Sequence, residues 1–225
     1  MNEAEWLVSA DPVQMLKFQR RKAKNRKLRL LACACCRRVV DMCVNVGLSA
    51  LEIAERFADG QASRDEMKAA RLALEPYIKA GAEYVPWSAT DERAYNAALD
   101  VVSAVPGAYA YSVEVSIECS GPESVSIFGT PDQARLVAET HCCRAIRCTF
   151  GNPFHPVAVD PEWLTSTVVA LARGIYDERA FDRLPILADA LMDAGCENAD
   201  VLTHCRSDGP HVRGCWVVDL VLGKE

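Results

Sequence analysis

Residues 26–46 read RKLRLLACACCRRVVDMCVNV, and the spacing within them decides the fold. Leu28, Ala32, Cys35, Val39, Met42 and Val46 recur at alternating intervals of four and three residues, which places them on one stripe of an α-helix. An apolar stripe of that length needs a partner surface, so the expectation is a helix packed into a core. The stretch is no membrane span: Arg29, Arg37, Arg38 and Asp41 interrupt it, and no other apolar run approaches the roughly 20 residues a bilayer requires.

Helix punctuation recurs on both sides of this stretch. Asp11-Pro12 and Asp160-Pro161 each put a capping carboxylate before a proline at the first helical position, where the missing amide is harmless. Each pair is expected to open a helix, the second running to about Tyr176. Thr130-Pro131 repeats the device, and Gly151 is placed to end that helix. Ser49 is expected to cap a helix closed by Gly60, and Ser63 with Glu66 forms a capping box for a helix running toward Lys79. Residues 91–104 also read as helix, residues 183–194 form another that stops at Gly195, and Asn198 begins one or two further turns.

Alternation at Tyr111, Val113, Val115 and Ile117, followed by the turn-forming SGPES, allows one short β-hairpin near residues 111–128. The fold class is therefore mainly α: a compact multi-helix domain with room for that hairpin. Residues 1–150 form a helical region with a basic N-terminal helix, and residues 151–225 a helical C-terminal region packed on the first as a single domain.

With 225 residues, half of them hydrophobic, the chain can build a core without disulfide staples. The opening MNEAEWLVSADP has no basic stretch followed by an apolar one, so a secretory leader is not expected and the location is read as cytoplasmic. Eleven cysteines are then eleven thiols, an odd total in a reducing compartment. The net charge of −6 conceals a polarity: residues 17–38 hold ten basic side chains and no acidic one, leaving 15 basic against 31 acidic elsewhere. That run is either a face docked on the acidic remainder or a phosphate-binding surface, with Arg20, Arg21, Lys22, Lys24, Arg26 and Lys27 as the contacts.

The sharpest metal candidate is Cys196, Cys205, His211 and Cys215, separated by eight, five and three residues. Three thiolates and an imidazole match zinc, a borderline-soft ion that prefers four such ligands in a tetrahedron. The competing reading is that these cysteines are small core hydrophobes. Core packing also accounts for Cys33, Cys35, Cys36 and Cys43, with a low-pKa thiol beside Arg37 and Arg38 as the alternative. His141, Cys142, Cys143 and Cys148 read as one face of an amphipathic helix. No serine-hydrolase elbow, phosphate-binding glycine loop, dinucleotide fingerprint or metalloprotease helix is present. Arg213, Trp216 and Asp219 combine the residue types that anchor interfaces, and form the candidate partner surface.

EAEWLVSADPVQML, RKLRLLACACCRRVV, AERFADG, FGNPFHPVAVDPEWL and the tail from YDERAF onward resemble a paralogous family of planctomycete proteins of the Gemmata type. The resemblance covers over half the chain and implies a lineage without a biochemical assignment. In that family the middle region is commonly alanine-rich with a helical pattern, which the sequence of residues 109–128 does not repeat. The reading that follows is a non-enzymatic protein-binding or regulatory module. Its alternatives are a zinc-stabilised nucleic-acid binder and a thiol-dependent enzyme or redox sensor.

Overall fold

The computed structural model describes residues 1–19, 22–40, 45–80 and 131–224. Among these the chain forms ten α-helices and two short 3-10 turns, with no strand. The mainly-α expectation holds. The expected hairpin at 111–128, the helix at 91–104, Cys43, Cys119, Arg20 and Arg21 lie outside the described residues.

The N-terminal helices are α1 (Glu3–Val8), α2 (Pro12–Gln19), α3 (Asn25–Val40), α4 (Asn45–Ala58) and α5 (Arg64–Ala80); α6 spans Pro131–Phe150. Local chemistry explains their starts. Asp11 Oδ1 accepts the Gln14 amide at 2.9 Å beside Pro12, and Ser63 and Glu66 exchange the two bonds of a capping box at 3.1 and 2.7 Å. A second capping box joins Asn2 and Glu5. Helix α4 begins at Asn45, ahead of the expected Ser49 cap, so Ser49 is an exposed residue inside the helix.

Helices α7 (Ser166–Glu178), α8 (Leu184–Asp193), α9 (Ala199–Arg206) and α10 (Trp216–Leu222) complete the chain. Asp160-Pro161 opens only the 3-10 turn Pro161–Trp163, not the long helix expected. Leu164 leaves helical geometry at ψ 50°, and Thr165 restarts the chain by accepting the Val168 amide through its hydroxyl. Asn198 caps α9 in the same way, through the Val201 amide.

Two apolar clusters organise α1 to α3, α6 and α7 to α10. In the first, α1, α2 and α3 bring Trp6, Met15, Leu16, Leu28, Leu31 and Cys35 against Ala138, Cys142, Cys143, Ala145 and Ile146 of α6. In the second, α7 to α10 surround Ile175, Tyr176, Leu187, Leu191, Val201 and Val218, and Cys148 reaches in from the end of α6. Val212 packs on both. Each buried leucine contributes about 2 kcal/mol through removal from water.

The α3 stripe is buried as expected at Leu28, Ala32 and Cys35, but Leu30, Leu31, Cys33 and Cys36 are buried too. The cause is a helix with partners on two sides: α3 packs against α4 as well as α6. Cys33 faces Glu55 on α4, and burial, then that carboxylate, push its thiol well above the ordinary range. Arg37 acts in the opposite direction but is outweighed, and the Arg38 side chain lies outside the described residues.

Ion pairs join the two clusters. Arg26 donates from Nη1 and Nη2 to both oxygens of Asp219 at 2.7 and 3.1 Å, and from Nε to Asp59 at 3.0 Å. Asp59 also accepts from the Tyr176 hydroxyl and from Arg213. Asp219 and Asp59 are almost wholly buried, so removing either would strand cations in the interior. The basic helix thus docks on acidic partners from α4 and α10.

Candidate metal centre

Four side chains from three segments converge where α6 ends against the C-terminal helices. Cys148, His204, His211 and Cys215 each offer one ligand atom, and these atoms all lie within 4.8 Å of one another. Cys148 sits in the last turn of α6 and His204 on α9. His211 belongs to the loop leading to Cys215, which is the N-cap of α10.

The distances suit a tetrahedral ion. His204 Nε2 is 3.2 Å from Cys215 Sγ, and His211 Nδ1 is 3.7 Å from Cys148 Sγ. Zinc–sulfur and zinc–nitrogen bonds of usual length, set at tetrahedral angles, place N and S ligand atoms roughly 3.5 Å apart. His211 is also oriented correctly. Its Nε2 lies 3.0 Å from the Ser207 carbonyl, which can only accept, so Nε2 carries the proton and Nδ1 turns its lone pair toward the thiols. A metal-bound histidine is commonly steered by such a bond from its other nitrogen to a carbonyl. The Ser207 hydroxyl in turn donates to the His204 carbonyl at 2.7 Å, tying the two histidine segments together.

The electrostatics favour a ligand-ready sulfur. Burial pushes the Cys215 thiol up, but the hydrogen bond from Cys148 and the contacts with His204 and His211 outweigh it and hold Cys215 well below its ordinary value. Cys148 shifts the other way, by burial and by its bond to Cys215. Burial lowers His211, while Cys215 and the Ser207 carbonyl raise it, and the net direction is upward. Metal binding to such thiols releases protons, and the lowered Cys215 is the sulfur that gives its proton up more readily.

Surrounding residues fix the ligands. Lys27 donates from Nζ to the carbonyl of Thr149, which follows Cys148, at 3.1 Å, and to that of Gly214, which precedes Cys215, at 2.8 Å. Gly151 ends α6 at φ +65°, and a Cβ there would meet the Trp216 ring at 3.2 Å. Gly214, at φ +93°, lies so close to Leu30 that a Cβ would stand 3.0 Å from it. His204 packs against His211 with ring centroids 4.9 Å apart and against Trp216 at 5.4 Å. A cleft of ≈ 510 Å³ opens beside the cluster, walled by Arg144, Asp200, His204, His211 and Trp216.

Of the residues singled out in the sequence, His211 and Cys215 belong to this group, and Cys196 and Cys205 do not. Both of the latter are buried in the C-terminal apolar cluster. Cys205 lies one turn after Val201 on the buried face of α9, and burial pushes its thiol far up. His204, one residue earlier and rotated by about 100°, points instead to the cleft. That rotation was the available signal. For Cys148 the signal was weaker, because it shares α6 with the core residues Cys142 and Cys143.

The other sequence-derived sites are distributed differently. Arg26 and Lys27 are engaged internally, and Lys22 lies over the Phe18 ring at 4.7 Å. Lys24 is exposed. In the candidate partner surface, Asp219 is buried against Arg26, Arg213 pairs with Asp59 at 2.9 Å and stacks on Tyr176, and Trp216 is half-buried beside His204. No helix among the described residues is long and apolar enough to cross a membrane. No protein-family model, curated protein or solved structure matches the chain.

Proposed function

We propose that the chain is a non-enzymatic helical binding module whose C-terminal half is locked by one structural zinc ion on Cys148, His204, His211 and Cys215. The convergence of four soft ligand atoms within 4.8 Å, drawn from α6, α9 and the loop before α10, carries this reading. Four protein ligands complete a tetrahedron and leave no coordination position for substrate, which is the pattern of structural rather than catalytic zinc. Holding α6 to α9 and α10, the ion would brace the walls of the adjoining cleft. The internal pairing of Arg26 and Lys27 weighs against those two residues as phosphate contacts, and so against the nucleic-acid form of the reading.

Metal analysis of the full chain, purified without a histidine tag, tests the proposal. One equivalent of zinc per chain, lost on Cys148→Ser or His204→Ala, is expected; a metal-free chain that folds normally sinks it.

One observation favours a second reading. The short His204–Cys215 contact and the depressed Cys215 thiol are also what a cysteine nucleophile needs. Cys215 is wholly buried, however, and a nucleophile must be reached. Rapid alkylation of Cys215 by iodoacetamide in the folded, metal-free chain would favour thiol chemistry, and slow alkylation would favour the metal reading.

A further inference from the structure

A second cavity, of ≈ 420 Å³, lies on the other side of the Pro210–His211 segment and is lined by Arg37, Arg179, Arg213 and Glu55 together with Leu30 and Phe181. Three guanidinium groups converge there on one carboxylate. Arg37 donates to Glu55 at 2.8 and 3.2 Å, Arg179 donates to the same carboxylate, and Arg213 stands 3.9 Å from it. The imbalance extends inward. Six cations (Arg26, Lys27, Arg37, Arg179, Arg213 and Lys224) share the three carboxylates of Glu55, Asp59 and Asp219. The exposed Glu52 also acts on Arg37 and Arg179, and among the described residues the excess stays positive.

Two further features mark this place. Arg213 Nε is buried with no hydrogen-bond partner among the described residues, although a guanidinium N–H in a protein interior ordinarily has one. Arg179 is the one non-glycine residue at positive φ among the described residues, at +55° in the C-cap of α7, a position that favours glycine. The chain carries an arginine where backbone geometry prefers no side chain, and that side chain reaches the cavity. Burial lowers the Arg179 guanidinium from its ordinary value; Glu55 opposes that shift, and Arg37 and Arg213 add to it.

We propose that Arg37, Arg179 and Arg213 form a binding site for a small organic oxyanion, a phosphate or carboxylate carried on a compact apolar body. Planar guanidinium forks recognise either group by paired charge-assisted hydrogen bonds. Leu30, Ala34, Phe181 and Val212 supply the apolar wall. An oxyanion would balance the surplus charge. This site does not rest on the zinc reading, since none of the three arginines is a metal ligand.

Isothermal titration of the full chain as purified, with phenyl phosphate, benzoate and inorganic phosphate as probes, tests the inference. Phenyl phosphate or benzoate should bind at least about tenfold more tightly than inorganic phosphate, because only they fill the apolar wall; which of the two binds identifies the oxyanion. Arg179→Gly, which suits the backbone at that position, should weaken binding about tenfold or more, and Arg37→Gln should do the same. Arg144→Gln, in the other cleft, should leave it unchanged. Absence of binding by all three probes overturns the inference, as does wild-type affinity in both Arg179→Gly and Arg37→Gln; equal binding of inorganic phosphate overturns its apolar half. Zinc content measured on the same samples keeps the two proposals separable: anion binding by a zinc-free chain leaves this one standing.

Discussion

Lys27 Nζ donates to the carbonyl of Gly214 at 2.8 Å, and the same ammonium donates to Thr149 at 3.1 Å, so one side chain of α3 holds the residues next to both cysteines of the cluster. The basic helix read from the sequence as a charged run is therefore part of what shapes the candidate metal centre. Arg26 and Lys27 face inward, Lys27 onto the carbonyls of Thr149 and Gly214 and both onto Asp219 of α10.

Replacing Lys27 by methionine keeps the aliphatic stem and removes the donors. Two buried carbonyls would lose a partner, at about 1–3 kcal/mol of stability. Zinc affinity, measured by competition with a chromophoric chelator, should fall roughly 10- to 100-fold, the usual effect of losing a residue that orients metal ligands. Unchanged affinity would show that the cysteines hold their places without Lys27.

The four-residue ligand set separates from its neighbours by substitution. Cys148→Ser and His204→Ala should abolish stoichiometric zinc, whereas Cys205→Ala and Cys196→Ala should retain it. The last two remove a buried sulfur from the core and should lower stability by about 1 kcal/mol. Zinc loss in Cys205→Ala with retention in His204→Ala would return the site to the set proposed from the sequence.

Gly151→Ala places a methyl group at φ +65° and 3.2 Å from the Trp216 ring. Both the backbone and the indole oppose it, and a loss of about 1–3 kcal/mol in urea unfolding is expected. Because Trp216 packs on His204, its fluorescence should shift in the same variant.

Acid should unfold the chain partly through Asp59. Burial raises this carboxyl, but the Tyr176 hydroxyl and the cations Arg26, Lys224 and Arg213 outweigh burial and hold it below its ordinary 3.8. A carboxyl whose folded-state pKa is depressed contributes stability that is fully present above its unfolded value and is lost as pH falls through the folded one. Stability should therefore decline below about pH 4. Asp59→Asn should remove part of that decline while lowering stability near neutrality by about 3–5 kcal/mol, since it strands buried cations. A pH profile identical to wild type would exclude Asp59 from the transition.

Most helix boundaries were legible because they are set locally. Asp11, Ser63, Asn198, Gly151 and Gly195 act within four residues of themselves, and each stands where its helix begins or ends. One failure has a local cause too. Asp160-Pro161 carries a start signal as good as that of Asp11-Pro12, but Thr165 offers a second cap five residues on, and α7 begins there.

By itself, the sequence determined the helical class, most of the capped starts and the burial of Leu28, Ala32 and Cys35 on α3, because periodicity and capping are properties of neighbouring residues. Tertiary structure alone decided which cysteines and histidines meet. Cys148 and His204 stand 56 residues apart in the chain and come together only where α6 ends against α9. Cys205, adjacent to His204, is turned away by about 100° onto the buried face of α9 by a single helical step. Likewise, only packing decided that Arg26 and Lys27 would neutralise Asp219 inside the protein, since whether a charge faces water or a partner depends on which helix lies across from it.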